Sequence, residues 1–236
     1  MHKAGSTIAN AILLDFFDAL GYEIDEIGKK SWVSSLNEAE FYLDYQKHIR
    51  ADGAYYGMAR GPYVASMQRI NSLRVIVQIR DPRDCLTSQY FSQMKSHTQP
   101  PDPERAKLLF ERREKIAAMG IDLFVLDLAE NYRRRMEVLS KIIDSHDDIL
   151  VLKYEVMTDD TEIWLGQISS FLDQPLTEEL RAKLANKTRF SVDVEDSSKH
   201  KRQITPGDHK RKLKPETISQ LNEILSKELQ RFDYAE

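Results

Sequence analysis

The chain has few of the sequence features that mark disulfide-bonded, membrane-spanning and nucleic-acid-binding proteins. It holds one cysteine in 236 residues, which rules out an internal disulfide and favours a reducing compartment, so we expect a cytoplasmic protein. It has no apolar run of about 18 residues, and therefore no candidate transmembrane helix. It also lacks a basic excess, since the formal net charge is −4 at pH 7. General nucleic-acid binders are markedly basic, so we expect no nucleic-acid partner.

Metal and repeat signatures are absent from the sequence as well. No set of cysteines and histidines has the spacing of a zinc site, so we expect no metal. Hydrophobic residues make up 41% of the chain, which is enough for a real core. The length suits one large domain or two small ones. We predict a single domain over residues 1–236, because the motifs that follow lie near both ends and in the middle.

A short polar loop opens the chain and leads directly into the apolar helical stretch at residues 8–20. The loop consists of Lys3, Ala4, Gly5, Ser6 and Thr7. Backbone N–H groups, hydroxyls and an ammonium at a helix N-terminus stabilise a phosphate or a sulfate. The pattern therefore predicts an anion site at the start of this helix, which Gly21 is well suited to end.

A second anion motif follows the best strand of the chain, the β-branched run at residues 73–79. Arg80 comes directly after this run, and Ser88 lies eight positions later. An arginine can grip a phosphate with two hydrogen bonds, and a serine hydroxyl adds one more. Two such motifs predict a ligand with two separated anionic groups.

Two further features lie in the second half of the chain. The apolar run at residues 149–153 predicts a second buried strand, and Tyr154 closes it. From about residue 186 to residue 212 no regular period is present, and the segment is polar and basic. It contains Arg202 and Gly207. Segments of this length without a period are commonly functional covers or disordered.

Together these motifs resemble the sulfotransferases that use 3′-phosphoadenosine 5′-phosphosulfate (PAPS), and they occur in that family's order. The resemblance implies that residues 3–7 form the 5′-phosphosulfate loop. It implies that Arg80 and Ser88 bind the 3′-phosphate and that Tyr154 lies near the adenine.

The same resemblance implies a role for the C-terminal segment. Residues 186–213 correspond to the loop that covers the cofactor in the family, with Arg202 and Gly207 as its contacts. The family's usual Arg-Lys-Gly run is absent, because Gln203 and Ile204 follow Arg202. This departure leaves the neighbours of Arg202 without an assigned role.

The resemblance and the alternation of strands and helices predict an α/β fold of the P-loop-NTPase-like sulfotransferase type. We expect three layers with a mainly parallel central sheet. In that fold a buried central strand precedes the anion loop, whereas only Met1 and His2 precede Lys3 here. We therefore expect that this strand is missing from the sequence, either because the N-terminus is truncated or because another segment takes its place. Exposed sheet edges then predict reduced stability, unless a natural extension supplies the strand.

The implied activity is transfer of a sulfuryl group from PAPS to a hydroxyl or amine of a small-molecule or carbohydrate acceptor. Such transfer depends on positioning and on charge stabilisation, as phosphoryl transfer does. Lys3 is the first catalytic residue predicted, and it acts without a metal. The general base stays open: His97 and His48 rank first. The carboxylate alternatives are Glu40 and Asp52.

Two other interpretations remain open at this point. A P-loop kinase is disfavoured, because the full phosphate loop needs a glycine four residues before Gly-Lys-[Ser/Thr], and no such pattern occurs. A non-catalytic nucleotide-binding or scaffold relative is compatible with the missing strand and the unassigned base. The sequence leaves the oligomeric state open, with a homodimer as one possibility.

Overall fold

A computed structural model describes residues 2–50, 52–59, 61–96, 103–188 and 205–234. The chain divides into two compact units. One consists of Met1–Arg80 and Val138–Phe190, and the other of Asp81–Glu137 and Ser191–Glu236. The single domain expected from the sequence stays a prediction.

The described residues form helices joined by short connections and four strands. In chain order the elements are α1 (Ser6–Ala19), β1 (Glu23–Ile24), α2 (Ile27–Val33), α3 (Glu38–Tyr45), β2 (Ala54–Tyr55), β3 (Val75–Ile79), α4 (Pro82–Phe91), α5 (Pro103–Ser145), β4 (Ile149–Lys153), α6 (Tyr154–Asp159), α7 (Thr161–Leu172), α8 (Glu178–Thr188), α9 (Asp208–Lys212), α10 (Pro215–Ile224) and α11 (Ser226–Arg231). Short 3₁₀ turns lie at Gln46–His48, Pro62–Ser66 and Gln68–Ser72, and a π-helical turn lies at Ser92–Ser96.

Helix α1 ends as the sequence predicts. Gly21 takes the left-handed conformation with φ 77°. Its amide donates to the carbonyl of Asp18, and the amide of Tyr22 donates to that of Phe17, at 3.0 Å each. These bonds satisfy carbonyls that the last turn of a helix otherwise leaves open. The chain then reverses, and the ring of Tyr22 packs 5.1 Å from that of Phe17.

The strands pair in parallel, which confirms the α/β prediction at the level of strand pairing. β3 pairs with β4 over five residues, from Val75 opposite Ile149 to Ile79 opposite Lys153. β1 pairs with β2 over two residues. Within the described ranges each sheet has two strands, so the sheets are smaller than the central sheet expected. The residue types at 54–58 also predict a short buried strand, but β2 covers Ala54–Tyr55 alone, because Gly57 turns left-handed with φ 67°.

The main core of the first unit lies where α1, α7 and α8 pack with β4 and α6. Its fully buried members include Ile12, Phe16, Leu152, Trp164 and Ile168. One polar contact is buried with them, since the indole nitrogen of Trp164 donates to the side-chain oxygen of Gln78 at 3.1 Å. This bond fixes β3 against α7 and removes the cost of an unpaired buried donor.

The second unit is helical in its described part. Helix α5 is interrupted at Gly120, where φ is 73° and ψ is 169°. The sequence predicts separate helices on either side of this point, at residues 104–119 and 122–143. The ring of Tyr90 packs edge-on against Phe124 at 5.4 Å, which joins α4 to α5. None of the helices in the described part of the chain is long and apolar enough to span a membrane.

Candidate active site

The loop before α1 turns tightly. Lys3 and Gly5 both lie in the left-handed region, with φ 65° and 70°. The carbonyl of Gly5 accepts the amides of Ile8 and Ala9 at 3.0 Å each, so the helix starts here. A lysine with positive φ is uncommon and is typical of loops shaped by function. The first turn of α1 directs its amides out of the helix end, as an anion site requires.

The residues of this loop differ in exposure. Ala4 is fully buried and Ser6 nearly so, whereas Lys3 is half-buried and Thr7 is exposed. The backbone is therefore anchored in the unit, while Lys3 and Thr7 keep part of their surface exposed to solvent.

β3 and β4 end side by side, and the residue that follows each of them reaches the loop. The guanidinium carbon of Arg80 lies 4.3 Å from the ring centroid of Tyr154. A guanidinium nitrogen of Arg80 donates to the carbonyl oxygen of Lys3 at 3.5 Å. Arg80 is 6% exposed and Tyr154 is 3% exposed, so this is a buried cation–π contact. Three residues predicted from separate motifs thus lie together in the first unit.

Gly5 packs so closely on Tyr154 that no side chain fits there. A Cβ atom at position 5 would lie 2.5 Å from Cδ2 and 2.6 Å from Cε2 of Tyr154. Glycine is therefore required at this position for two independent reasons, the left-handed backbone and the neighbouring ring. The ring of Tyr154 has Gly5 on one side and Arg80 within contact distance, so it couples the loop to the end of β3.

The other predicted phosphate residues of the described chain lie in the second unit. Ser88 is a half-buried residue of α4. Gly207 precedes α9 in a left-handed conformation with φ 78°. Its amide donates to the Asp84 carboxylate at 2.8 Å, so this N–H group is already used within the protein.

A buried pair in the second unit has no counterpart among the residues predicted from the sequence. One carboxylate oxygen of Asp84 accepts the amide of His209 at 2.9 Å and its Nδ1 atom at 2.7 Å. Both residues are at most 1% exposed. The adjacent Arg83 pairs instead with Asp81, with an N–O distance of 2.8 Å. Asp84 and His209 are 125 positions apart, and the sequence around neither residue predicts contact with the other.

The predicted histidine bases are placed only in part. His48 is exposed in the 3₁₀ turn after α3, with its ring 5.5 Å from that of Tyr45. His97 lies outside the described residues, and so does the predicted phosphate contact Arg202. No geometry therefore bears on His97 or Arg202.

The carboxylate alternatives have little to support them. The Glu40 carboxylate accepts the amide of Asn37 at 3.3 Å, and the Asn37 side chain accepts the amide of Glu40 at 3.0 Å. This reciprocal pair is a capping box at the start of α3, which gives Glu40 a structural role. Asp52 is exposed in the turn before β2.

Glu26, which the sequence does not single out, lies at the carboxyl end of β1. Because the chain reverses at Gly21, β1 returns along α1 toward its first turn. The Asn10 amide donates to Glu26 at 3.3 Å, and the Tyr55 hydroxyl donates to Asn10 at 3.0 Å. Asn10 lies about 6 Å along the helix axis from Ser6, at 1.5 Å per residue. The carboxylate of Glu26 is therefore at the same end of α1 as the anion loop.

A second polar cluster adjoins Glu26. The Lys30 ammonium lies 2.7 Å from the Asp25 carboxylate and donates to the Tyr45 hydroxyl at 3.0 Å, and that hydroxyl donates to Asp25. Burial alone would raise the pKa of Asp25, but the bonds from Lys30 and Tyr45 outweigh it and lower that pKa. Burial raises the pKa of Tyr55, which keeps its hydroxyl a donor to Asn10. No group of three or more side chains suited to a metal ion occurs in the described residues.

Comparison with known families agrees with the motifs. A family model described as the sulfotransferase domain matches residues 65–233, well over half of the chain. The chain therefore belongs to the sulfotransferase domain family, as the resemblance predicts. The matched range contains Arg80, Ser88 and Tyr154, and it begins after the loop at residues 3–7. No curated protein and no solved structure matched the chain.

Proposed function

We propose that the protein transfers a sulfuryl group from PAPS to a hydroxyl or amine of a small-molecule or carbohydrate acceptor. The observation that carries this proposal is the convergence of Lys3, Arg80 and Tyr154 in a chain of the sulfotransferase domain family. We also propose the three-layer arrangement with a mainly parallel central sheet. Its support is the parallel pair β3–β4, which ends at Arg80 and Tyr154, since ligands of such folds bind at the carboxyl ends of strands.

The residues of the first unit suit the parts of this donor. The amides of the first turn of α1 and the Lys3 ammonium suit the 5′-phosphosulfate. The Arg80 guanidinium suits the 3′-phosphate, and Tyr154 offers an aromatic side chain near an adenine. Ser88, Arg202 and Gly207 stay predictions as phosphate contacts. For Gly207 we propose a backbone role, because its amide is bonded to Asp84.

Lys3 is the proposed catalytic residue. PAPS, when bound, supplies an activated sulfuryl group. A fixed ammonium at the leaving oxygen stabilises the negative charge that develops there, and it needs no reorganisation during the reaction. Ser6 and Thr7 are the proposed hydroxyl donors to the phosphate. The ammonium supplies the cationic charge that the proposal needs, so a metal ion is not part of it.

We propose Glu26 as the group that accepts the proton of the acceptor. Its side chain is 20% exposed and pairs with the Lys29 ammonium, so it is reachable and still held in place. The bond from Asn10 orients the carboxylate at the loop end of α1. His48 is less well supported, since it is exposed and its described neighbour is Tyr45. His97 stays a prediction.

Calorimetric titration with 3′-phosphoadenosine 5′-phosphate, the product nucleotide, tests the proposal, with ATP and 5′-AMP as controls. We expect binding that requires the 3′-phosphate, followed by turnover of PAPS with a hydroxyl-bearing acceptor. If the folded protein binds 5′-AMP as tightly as the product nucleotide, the 3′-phosphate assignment of Arg80 is wrong. Tight binding without turnover on any acceptor would favour the non-catalytic relative.

A further inference from the structure

Within the second unit, α9 lies along one face of α4. Asp84, Ser88 and Phe91 are spaced so that they share this face of the helix. At one end of the face, Asp84 accepts the amide of Gly207 at 2.8 Å. At the other end, the Lys212 ammonium lies 5.9 Å from the ring centroid of Phe91. α9 therefore extends along the face of α4 whose middle residue is Ser88.

Asp84 is the anchor of this arrangement. Its side chain is 0% exposed and accepts three hydrogen bonds, from the Gly207 amide and from the amide and Nδ1 of His209, at 2.7 to 2.9 Å. A buried carboxylate is costly unless it is hydrogen-bonded, and charge-assisted bonds of this kind are the strong ones. The backbone at residues 207–209 is therefore fixed to the first turn of α4.

His209 acts in this arrangement as a donor. Its Nδ1 atom donates to Asp84, so the proton is on that nitrogen. Its Nε2 atom is buried and has no hydrogen-bond partner among the described residues. His209 thus holds the segment to Asp84.

We propose that Asp84 is a positioning residue for 3′-phosphate binding, which it serves by holding the cationic helix α9 beside Ser88. The inference rests on the proposed function, because the phosphate role of Ser88 comes from the same family resemblance. Besides His209, which holds the segment to Asp84, α9 carries the cations Lys210, Arg211 and Lys212. Cations held near a phosphate site strengthen binding of a doubly charged group. We therefore expect that release of α9 weakens the binding of nucleotides that carry a 3′-phosphate. The binding of nucleotides that lack it should stay unchanged.

A matched pair of substitutions at His209 tests the contact. His209→Leu removes the bond to Asp84, whereas His209→Asn keeps a nitrogen donor near the position of Nδ1. Both variants and the wild type are titrated with 3′-phosphoadenosine 5′-phosphate and with 5′-AMP. We expect His209→Leu to bind 3′-phosphoadenosine 5′-phosphate about tenfold or more weakly than the wild type, because a hydrogen bond to a charged group is lost. The affinity for 5′-AMP should change little. His209→Asn restores most of the loss.

The ratio of the two affinities separates this role from a merely structural one. A general loss of stability lowers both affinities together and leaves the ratio as in the wild type, and that result overturns the inference while the proposed function stands. If wild-type protein does not bind 3′-phosphoadenosine 5′-phosphate at all, the proposed function fails first, and this inference fails with it.

A measurement on the wild type covers the case in which the variants do not fold. Amide hydrogen exchange at Gly207 and His209 reports directly on the bonds to Asp84. We expect 3′-phosphoadenosine 5′-phosphate to slow exchange at both amides more than 5′-AMP does, because the 3′-phosphate engages α9. Equal protection by the two nucleotides overturns the inference.

Discussion

The substitution Gly5→Ala probes the contact that couples the anion loop to the end of β4. The left-handed backbone at position 5, with φ 70°, costs an alanine roughly 1–2 kcal/mol. The added Cβ would also lie 2.5 Å from the ring of Tyr154, and overpacking of this kind costs about 1–3 kcal/mol more. We therefore expect the free energy of unfolding to fall by about 2–5 kcal/mol.

Gly21→Ala is the matched control. Gly21 is also left-handed, with φ 77°, but no described residue other than its chain neighbours has an atom within 4 Å of the place that an added methyl group would take. This variant therefore loses only the backbone part, roughly 1–2 kcal/mol. Urea unfolding followed by circular dichroism measures both variants. Equal losses for Gly5→Ala and Gly21→Ala would show that the ring of Tyr154 does not press on the loop.

Nucleotide binding gives a second readout of the same substitution. A methyl group at position 5 displaces the ring of Tyr154, and the Arg80 guanidinium that lies over this ring moves with it. Gly5→Ala should therefore lower the affinity for the product nucleotide, whereas Gly21→Ala should leave that affinity unchanged. In a Tyr154→Leu background the alanine should cost less than in the wild type, and a double-mutant cycle measures this coupling. Strict additivity of Gly5→Ala and Tyr154→Leu would refute the reasoning.

Three further substitutions test single roles. Lys3→Ala should lower kcat by about 100-fold or more and leave product-nucleotide affinity within a few-fold, as steady-state kinetics and calorimetry can show. Arg80→Ala should make the binding free energy of the product nucleotide less favourable by roughly 1.5–3 kcal/mol. An unchanged affinity in calorimetry would contradict the phosphate role of Arg80. Glu26→Gln should lower turnover at unchanged nucleotide affinity. Its control, Glu40→Gln, should lower the melting temperature slightly through the capping box and leave turnover per folded molecule intact.

The elements that sequence predicts well are those with local causes. The runs that became β3 and β4 are continuous and apolar, and such runs indicate buried parallel strands. Gly21 and Gly120 mark helix boundaries because a left-handed residue interrupts the helical backbone wherever it occurs. The convergence of Arg80 with Tyr154 also follows from local facts, since each residue comes directly after a parallel strand.

The parts that sequence does not predict depend on distant partners. Asp84 looks like an ordinary first-turn acid of α4, and only the fold brings His209 to it. Glu26 gains its place from the reversal at Gly21 and from the bond to Asn10. Its carboxylate has no motif of its own. The sheet β1–β2 is likewise small because the backbone turns left-handed at Gly57. The strand propensity of the preceding residues does not predict this turn.

The loop at residues 3–7 stands outside the range matched by the sulfotransferase domain, so its assignment depends on packing. Arg80 and Tyr154 lie inside that range, and both touch the loop, one at the carbonyl of Lys3 and the other at Gly5. An ordinary polar segment before a helix requires neither a glycine packed against a buried ring, as Gly5 is, nor a lysine with positive φ, as Lys3 is. The packing of both matched residues on the loop supports our proposal that the loop belongs to the same site, and the coupling between positions 5 and 154 tests it.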